Sequence, residues 1–312
     1  MKGVWTKLGR VAACRALRPW WVSHAMAPAP VVLADGRVRV FLGGWSETGI
    51  ARIGWIDLAG DDPLEVLGYS EEPVVDLGSP GCFDDNGVFP AHVSRAPGGE
   101  ILLYTTGFQL STREEVDHFN FSGLAVSRDE GATFAKFSRA PVLDRADEGL
   151  HVRAGLSSLW HDGAFHCVYS AGTGFTPVGG KLRPSYEVFY QRSDGYAEFA
   201  RSGRRIVALE RSREHGLGRP QIVRMQGRWV VFYTRRVLDM HYHMGCSVSD
   251  DLEHWQRADD WLASVRHGEP GSFDHEMVYF PAVVRSGGRW LLFYSGNGYG
   301  RDGLGVAELR DA

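Results

Sequence analysis

Side chains that can transfer protons or bind anions occur in small groups along this chain, each near the start of an apolar stretch. The groups contain His24, then Asp84 and Asp85, then His151 and Arg153, then His215 and Arg219, and finally Asp274 and Glu276. Two carboxyl groups can act as acid and base when burial raises one pKa and a nearby cation lowers the other. Cleavage of a glycosidic bond uses such a pair, about 5–5.5 Å apart for retention of configuration or about 6.5–9.5 Å apart for inversion.

The candidate catalytic residues are Asp84, Asp85, Glu276 and His24. Each also has a structural interpretation. Asp84 and Asp85 precede an Asn-Gly pair, so they can simply shape a turn. Glu276 has an apolar, strand-like context in which an unpaired carboxylate is costly, so its alternative is an ion pair with an arginine such as Arg219. His24 lies in an apolar, proline-rich stretch and can be a core histidine whose hydrogen bonds are satisfied.

The candidate substrate-binding residues are Arg153, Arg219, His151, His215, Asp274, Tyr279 and Tyr242. Arginines that face a pair of carboxylates can hold a phosphate, a carboxylate or a nucleotide through paired hydrogen bonds. Tyr242 follows an apolar stretch, as Trp45, Phe108 and Phe175 do. Such rings can stack on a sugar, or they can pack between structural units, which is their commoner role.

The histidines also raise the question of a metal site. Candidate ligands near the centre of the fold are His24, His151, His215 and His275, with His241 and His243 as a further pair. No spacing matches a zinc motif such as HExxH, so we predict no required cofactor and keep a divalent metal near the axis as an alternative. No GxSxG motif is present. The glycines between Gly296 and Gly303 join two predicted strands and open no helix, which excludes a dinucleotide-binding loop.

The elements that must position these residues repeat along the chain. Five apolar segments end in an aromatic residue, and these residues are Phe41, Tyr104, Tyr169, Tyr233 and Tyr294, about 61 to 65 residues apart. Another strand-like segment precedes each of them across a Gly- or Asp-containing turn, as in a hairpin. Later in three repeats, Asp129, Asp194 and Asp250 are predicted to cap their own backbone amides. Each repeat therefore predicts a four-stranded antiparallel sheet, and none has a helical period.

Five such sheets arranged radially make an all-β fold, a five-bladed β-propeller, as a single domain over residues 1–312. The predicted blades are residues 22–75, 84–143, 151–209, 216–262 and 274–310. The last blade lacks a strand, and residues 5–15 are predicted to supply it, which closes the ring and suits a soluble monomer. Because the innermost strands line the axis, the candidate residues are predicted to converge on a central funnel. A β-sandwich is the alternative architecture.

Composition narrows the classes of partner. The 312 residues are 44% hydrophobic, and the net charge of −4 comes from acidic and basic residues mixed throughout. No basic stripe indicates nucleic acid, and no apolar stretch has the pattern of a secretory signal or a membrane span. The cysteines Cys14, Cys82, Cys167 and Cys246 are far apart and are interpreted as buried free thiols in a reducing compartment. We therefore predict a cytoplasmic protein that binds a small molecule or a glycan.

The blades, the Asp turns and the aromatic strand ends resemble the five-bladed propeller glycosidases, namely arabinanases, β-xylosidases, invertases and levansucrases. A closer resemblance is to glycosidase-like propeller proteins of polysaccharide or secondary-metabolite biosynthesis. Residues 82–93, 218–223, 273–284 and 291–307 carry it, and it extends over nearly the whole chain. The arabinanase-like enzymes have an acid at the strand entrances of blades one, three and four, where this chain has none, so their catalytic triad is not carried over.

Together the residues and the resemblance predict a carbohydrate-active enzyme that cleaves or transfers a glycosidic or sugar-phosphate-like bond by carboxylate acid/base catalysis. One alternative is a biosynthetic tailoring enzyme that uses the same funnel for cyclisation, elimination or isomerisation. Another is a non-catalytic glycan-binding propeller. The missing triad is compatible with both alternatives.

Overall fold

A computed structural model describes residues 1–112, 116–239 and 241–311, and its regular structure is almost entirely β-strand. The described helical segments are a 3₁₀ helix at Asp259–Val265 and a single turn, α1, at Asn297–Gly300. The prediction of an all-β fold is confirmed. No helix in these three ranges is long and apolar enough to cross a membrane.

The strands are grouped into five antiparallel units preceded by β1 (Val4–Ala12). Unit 1 contains β2 (Ser23–Val32), β3 (Val38–Trp45), β4 (Ala51–Leu58) and β5 (Val66–Tyr69). Unit 2 contains β6 (Val88–Arg95), β7 (Ile101–Leu110), β8 (His118–Ser127) and β9 (Ala135–Lys136). Unit 3 contains β10 (Val152–His161), β11 (Ala164–Val178), β12 (Lys181–Ser193) and β13 (Arg204–Val207). Unit 4 contains β14 (Glu214–Met225), β15 (Arg228–Val237), β16 (Tyr242–Ser249) and β17 (Gln256–Arg257), and unit 5 contains β18 (Tyr279–Ser286), β19 (Arg289–Ser295) and β20 (Leu304–Arg310).

Strands within each unit pair in chain order, and short parallel bridges join units 2, 3 and 4 into one curled sheet. The first strand of the chain, β1, pairs antiparallel with β20, so that the order in the last sheet is β1-β20-β19-β18. Pairing runs from Val4 opposite Arg310 to Ala12 opposite Leu304. The N-terminal segment therefore supplies the outer strand of unit 5, as the sequence predicts.

The repeated aromatic residues lie on the second strands of the units and form the centres of the core. Phe41, Tyr104, Tyr169, Tyr233 and Tyr294 are each 0% exposed. Burial of one such ring stabilises the fold by about 1.5–3 kcal/mol. The tyrosine hydroxyls need partners in this apolar setting, and Tyr169 donates a hydrogen bond to Glu148 while Tyr294 donates one to Asp274.

The first strands of the five units contact one another in a closed order, β2 to β6, β10, β14, β18 and back to β2. Each of them has an irregularity in its pairing with the second strand of its unit. Ala27, Gly155, Arg219 and Phe280 have positive φ at or beside these irregularities. A bulge bends a strand and increases its twist, which lets the entrance ends of the first strands lie together.

The predictions for the cysteines and for the Asp-containing turns were confirmed in part. All four cysteines are buried and unpaired, and burial raises the pKa of Cys14 to about 12. Asp129 caps its turn by accepting hydrogen bonds from Thr133. The prediction for Asp250 is wrong: it forms an ion pair with Arg228, and Asp251 accepts the backbone hydrogen bonds of that turn instead.

The Asp194 prediction has no support among the contacts of the described residues, since its carboxylate is 85% exposed and lies 3.6 Å from Arg192. The hydroxyl of Ser193 accepts a hydrogen bond of 3.3 Å from the backbone amide of Gly195. The serine one position earlier therefore caps an amide of this turn in place of the aspartate.

Candidate functional site

A cleft of about 110 Å³ opens where the entrance ends of the first strands meet. Residues of four first strands line it, namely Phe89, Ala154, Arg219 and Phe280. Arg183 and Tyr186 of β12 and Arg236 of β15 complete it towards units 3 and 4. We call the space bounded by Arg183, Tyr186 and Arg236 the arginine–tyrosine cleft.

The two arginines have hydrogen-bonding capacity that the described residues do not use. Arg236 lies 5.5 Å from the centre of the Tyr186 ring and 5.0 Å from that of Tyr242, measured from its guanidinium carbon. The Nε atoms of Arg183 and Arg236 are buried, and neither has a hydrogen-bond partner among the described residues. The two rings hold the Arg236 guanidinium by cation–π contacts, which do not provide a hydrogen-bond acceptor for its Nε.

Four tyrosines surround Arg236. Tyr242 lies 5.9 Å from Tyr279 and 6.0 Å from Tyr299 between ring centres, and Tyr279 lies 5.6 Å from Tyr299. The Tyr242 and Tyr299 hydroxyl oxygens are 3.3 Å apart. The Tyr279 hydroxyl is buried without a hydrogen-bond partner in the described structure. Tyr186 is the fourth member, and its ring centre lies 5.5 Å from the guanidinium carbon of Arg236.

The tyrosines differ in how easily they ionise. Burial raises the pKa of Tyr299 to about 12 and raises the pKa of Tyr186 and Tyr279 further. Tyr242 is the opposite case: burial works to raise its pKa, but Arg236, the hydrogen bond with Tyr299, and Arg183 together bring the pKa below its ordinary value. Tyr242 is therefore the most readily ionised phenol of this group.

Histidine rings stack on aromatic rings around the same end of the fold. His118 stacks on Phe108 and His151 stacks on Phe175, each with 4.5 Å between ring centres. Burial lowers the pKa of His151 to about 4, with His118 adding to the effect. Burial and Arg236 lower the pKa of His215 to about 4 as well. These imidazoles are therefore neutral at neutral pH, so the arginines supply the positive charge near the cleft.

Arg219 lines the cleft but is engaged with the backbone. Its guanidinium donates hydrogen bonds to the carbonyls of Pro90, Ala27 and Pro28, which belong to units 2 and 1. Burial lowers the pKa of Arg219 to about 9, although Tyr279 opposes this shift. Arg219 thus joins three first strands at the centre, and the proposed alternative of an ion pair with Glu276 is wrong.

Two of the predicted carboxylates are engaged within their own units. Asp84 and Asp274 are each 2% exposed. Asp84 forms an ion pair of 2.6 Å with Lys136. Asp274 forms one of 2.6 Å with Lys7 and also accepts a hydrogen bond of 2.9 Å from Tyr294. Neither residue is among those that line the cleft.

The other two predicted acids have different surroundings. Asp85 accepts a hydrogen bond of 2.7 Å from the amide of Gly81, while its Oδ1 is buried without a partner among the described residues. Glu276 precedes β18, and its side chain is 55% exposed and 3.5 Å from His275. The strand-like context inferred for Glu276 is therefore wrong, because β18 begins only at Tyr279.

Arg153 and His24 lie outside the cleft lining. The Arg153 guanidinium donates hydrogen bonds to Glu148 and to the backbone carbonyls of Asp144 and Ala200. Its hydrogen-bond donors are therefore used within the fold and not in the cleft. His24 stacks on Trp45 with 4.0 Å between ring centres. Burial, aided by a nearby arginine, lowers the pKa of His24 to about 4.

Sequence reasoning thus anticipated Tyr242, Tyr279, His151, His215 and Arg219 near this end of the fold. It missed Arg183, Tyr186, Arg236 and Tyr299. One signal was available for Arg236: the second strand of unit 4 ends in Thr-Arg-Arg, where the equivalent strands continue with small or uncharged residues. Metal binding gains no support, since no group of three or more His, Cys, Asp or Glu side chains within the described ranges could hold an ion.

Comparison with known proteins places this geometry in context. No family model matches the chain. The chain is 30% identical over 315 residues to the uncharacterized protein Rv1502 of Mycobacterium tuberculosis (strain ATCC 25618 / H37Rv), covering 98% of this chain and 99% of that protein.

Two solved structures resemble the fold over its full length. A glycosyl hydrolase from Bacteroides ovatus has a TM-score of 0.70 at 16% identity, over 100% of this chain and 96% of its own. A GH43_1 enzyme from Xanthomonas citri has a TM-score of 0.64 at 13% identity, over 100% of this chain and 92% of its own. At these identities the likeness is one of fold.

Proposed function

The chain belongs to the family of the Mycobacterium tuberculosis protein Rv1502, and we propose, from its likeness in fold to a glycosyl hydrolase and a GH43_1 enzyme, that it is a carbohydrate-active enzyme whose reaction takes place in the arginine–tyrosine cleft. The observation that carries the proposal is a pair of buried polar atoms of cleft-lining residues that have no partners in the described structure, Arg183 Nε and Arg236 Nε. An unsatisfied buried polar group costs about 1–3 kcal/mol. A polar ligand such as a sugar would remove that cost, and aromatic walls suit the faces of its ring.

The proposal includes the architecture of a single five-bladed β-propeller that converges on this cleft. Support comes from the five antiparallel units, the closed order of contacts among their first strands, and the pairing of β1 with β20. In such an arrangement a cleft at one end of the first strands is the mouth of a central funnel.

Tyr242 is the proposed proton-transferring group: it is not among the residues that line the cleft, but its ring centre lies 5.0 Å from the guanidinium carbon of Arg236, which does line it. A tyrosine can serve as a general acid or base when its pKa is moved toward the working pH. Arg236 favours the ionised form of Tyr242, and the Tyr299 hydroxyl can hydrogen-bond to it. This assigns to Tyr242 the role that the sequence assigned to carboxylates.

A second candidate is elimination within an acidic sugar, as in a biosynthetic tailoring enzyme. The ion pair of Asp84 with Lys136 favours it, because it occupies one of the carboxylates that the sequence suggested as acid or base for hydrolysis. In this reaction Tyr242 would accept the proton from the carbon beside the sugar carboxylate. The adjacent C–O bond would break as the C=C bond forms, and the leaving oxygen would take up a proton.

The test is a mass-spectrometric screen of the purified protein against pooled neutral glycosides, acidic glycosides and sugar phosphates. Products that have gained water indicate hydrolysis, and unsaturated products indicate elimination. We expect Tyr242→Phe to lower kcat by about 10²- to 10⁴-fold, the usual contribution of a general acid or base.

Tyr69→Phe is the matched control, since Tyr69 belongs to β5, the last strand in the order β2-β3-β4-β5 of unit 1, whereas β2 is the strand at the centre. The control variant should retain its turnover. Unchanged turnover in Tyr242→Phe, or loss of turnover in both variants, would contradict the role given to Tyr242.

A further inference from the structure

The charges around the arginine–tyrosine cleft do not balance among the described residues. Arg183, Arg219 and Arg236 line it, and Asp117 is the one described carboxylate in its lining. The Asp117 carboxylate lies 2.5 Å from the neutral ring of His118, and its side chain is 72% exposed, so solvent screens its charge. The described lining therefore has an excess of positive charge, and that excess faces a space large enough for a small polar group.

Buried arginines elsewhere in this protein have partners for their hydrogen-bond donors. Arg39 pairs with Asp57 at 2.7 Å, and Arg153 pairs with Glu148 at 3.0 Å. Arg219 donates instead to backbone carbonyls of two other units. A buried polar atom that is left unpaired costs about 1–3 kcal/mol. The Nε of Arg236 has neither kind of partner within the described ranges, and Arg236 lines the cleft.

The surroundings of Arg236 suit a ligand of opposite charge. Its guanidinium carbon lies 5.5 Å from the centre of the Tyr186 ring and 5.0 Å from that of Tyr242. These cation–π contacts leave its Nε without a hydrogen-bond partner among the described residues. A guanidinium presented by its edge binds the paired oxygens of a carboxylate or phosphate through two parallel hydrogen bonds.

We propose that Arg183 and Arg236 bind an anionic oxygen group, a carboxylate or a phosphate, on the sugar that occupies the cleft. This inference rests on the proposed function, since it names the class of substrate for that site. The neutral histidines around the cleft, His118, His151 and His215, add no charge at neutral pH, so recognition of the anion depends on the two arginines.

Calorimetric titration with two matched pairs of probes tests the inference and distinguishes a carboxylate ligand from a phosphate ligand. One pair is methyl glucuronide and methyl glucoside, and the other is glucose 6-phosphate and glucose. We expect the charged member of one pair to bind more tightly than its neutral partner. Arg236→Gln and Arg183→Gln should each weaken that binding by about ten- to a hundredfold, which corresponds to the loss of one hydrogen bond to a charged group.

Arg224→Gln is the matched control, because Arg224 lies at the opposite end of the first strands and contacts Trp229. It should leave the binding unchanged. Arg236→Lys keeps the charge but loses the planar pair of donors, so it should recover only part of the affinity. Thermal unfolding of each variant checks that it is folded before titration.

Three results would overturn the inference: equal binding of charged and neutral probes, no binding of either charged probe at millimolar concentration, or equal weakening by Arg224→Gln. Turnover of a neutral glycan that is indifferent to both arginine variants would also overturn it while leaving the proposed function intact. If an anion binds in a way that depends on the two arginines but no glycan is turned over, the anion site is supported and the proposed enzymatic function is contradicted.

Discussion

Arg236 and Tyr242 are neighbours because they are opposite one another in the ladder between β15 and β16. Comparison with another buried tyrosine, Tyr294, shows how this pairing changes the pKa of Tyr242. Burial raises the pKa of Tyr294, and the hydrogen-bonded carboxylate of Asp274 raises it further. Tyr242 faces a cation instead, and its pKa moves down. One residue type thus has opposite acid–base behaviour according to the charge beside it.

Arg219 allows a stability prediction at the scale of one residue. Replacing it with leucine leaves the carbonyls of Pro90, Ala27 and Pro28 without their buried donor. We expect Arg219→Leu to lower the free energy of unfolding by about 3 kcal/mol or more, measured by urea denaturation. Arg224→Leu, at the opposite end of the first strands, should cost far less. Equal losses for the two variants would show that Arg219 does not hold the first strands together.

At the scale of elements, β1 determines how the last sheet is completed. Its Trp5 is 0% exposed and packs 5.5 Å from Trp261 and 6.3 Å from Phe232 between ring centres. Phe232 belongs to unit 4 and Trp261 to the 3₁₀ helix. The strand therefore joins the first residues of the chain both to β20 and to a neighbouring unit.

Trp5→Ala tests this role. Loss of a buried large aromatic ring costs about 3–5 kcal/mol, so urea unfolding should show a decrease of that size. Val4 is next to it on the same strand but is 47% exposed, which makes Val4→Ala the control, with an expected change within about 0.5 kcal/mol. A small effect of Trp5→Ala would mean that β1 contributes little to stability.

At the scale of the whole molecule, burial of histidines makes stability depend on pH. Burial lowers the pKa of His24, His151 and His215 to about 4, and that of His92 to about 3. In the unfolded chain these groups titrate near 6.5. Between about pH 6.5 and 4 the unfolded state therefore binds more protons than the folded state, and stability is lost as the pH falls through this window.

Above pH 6.5 these histidines should contribute no pH dependence to the melting temperature. From pH 6.5 to 4 the melting temperature should fall steadily. His92→Gln should flatten this dependence, because glutamine can still bond to the carbonyl of Ser158 and does not titrate. His161→Gln, at a histidine whose side chain is 37% exposed, is the control and should leave the dependence as it is. A melting temperature that does not change between pH 7 and 4 would contradict the assignment.

The aromatic strand ends and the site residues differ in how far sequence could predict them. Phe41, Tyr104 and their equivalents were identified because a buried strand followed by a turn is a local pattern that recurs along the chain. Asp84 and Asp274 were assigned to chemistry because their partners are remote: Lys136 lies 52 residues from Asp84, and Lys7 lies 267 residues from Asp274. The catalytic roles predicted for Asp84, Asp85, Glu276 and His24, the cytoplasmic location and the monomeric state stay predictions.

The sequence by itself determined the all-β character, the repeated four-stranded units, the buried aromatic centres and the use of the N-terminal strand in the last sheet. These features depend on alternation, turns and spacing, which are properties of neighbouring residues. Only the tertiary structure decided which charged and phenolic groups are left without partners. Arg183, Arg236, Tyr242, Tyr279 and Tyr299 come from separate strands and a turn, and their charges act on one another only after the units have packed together.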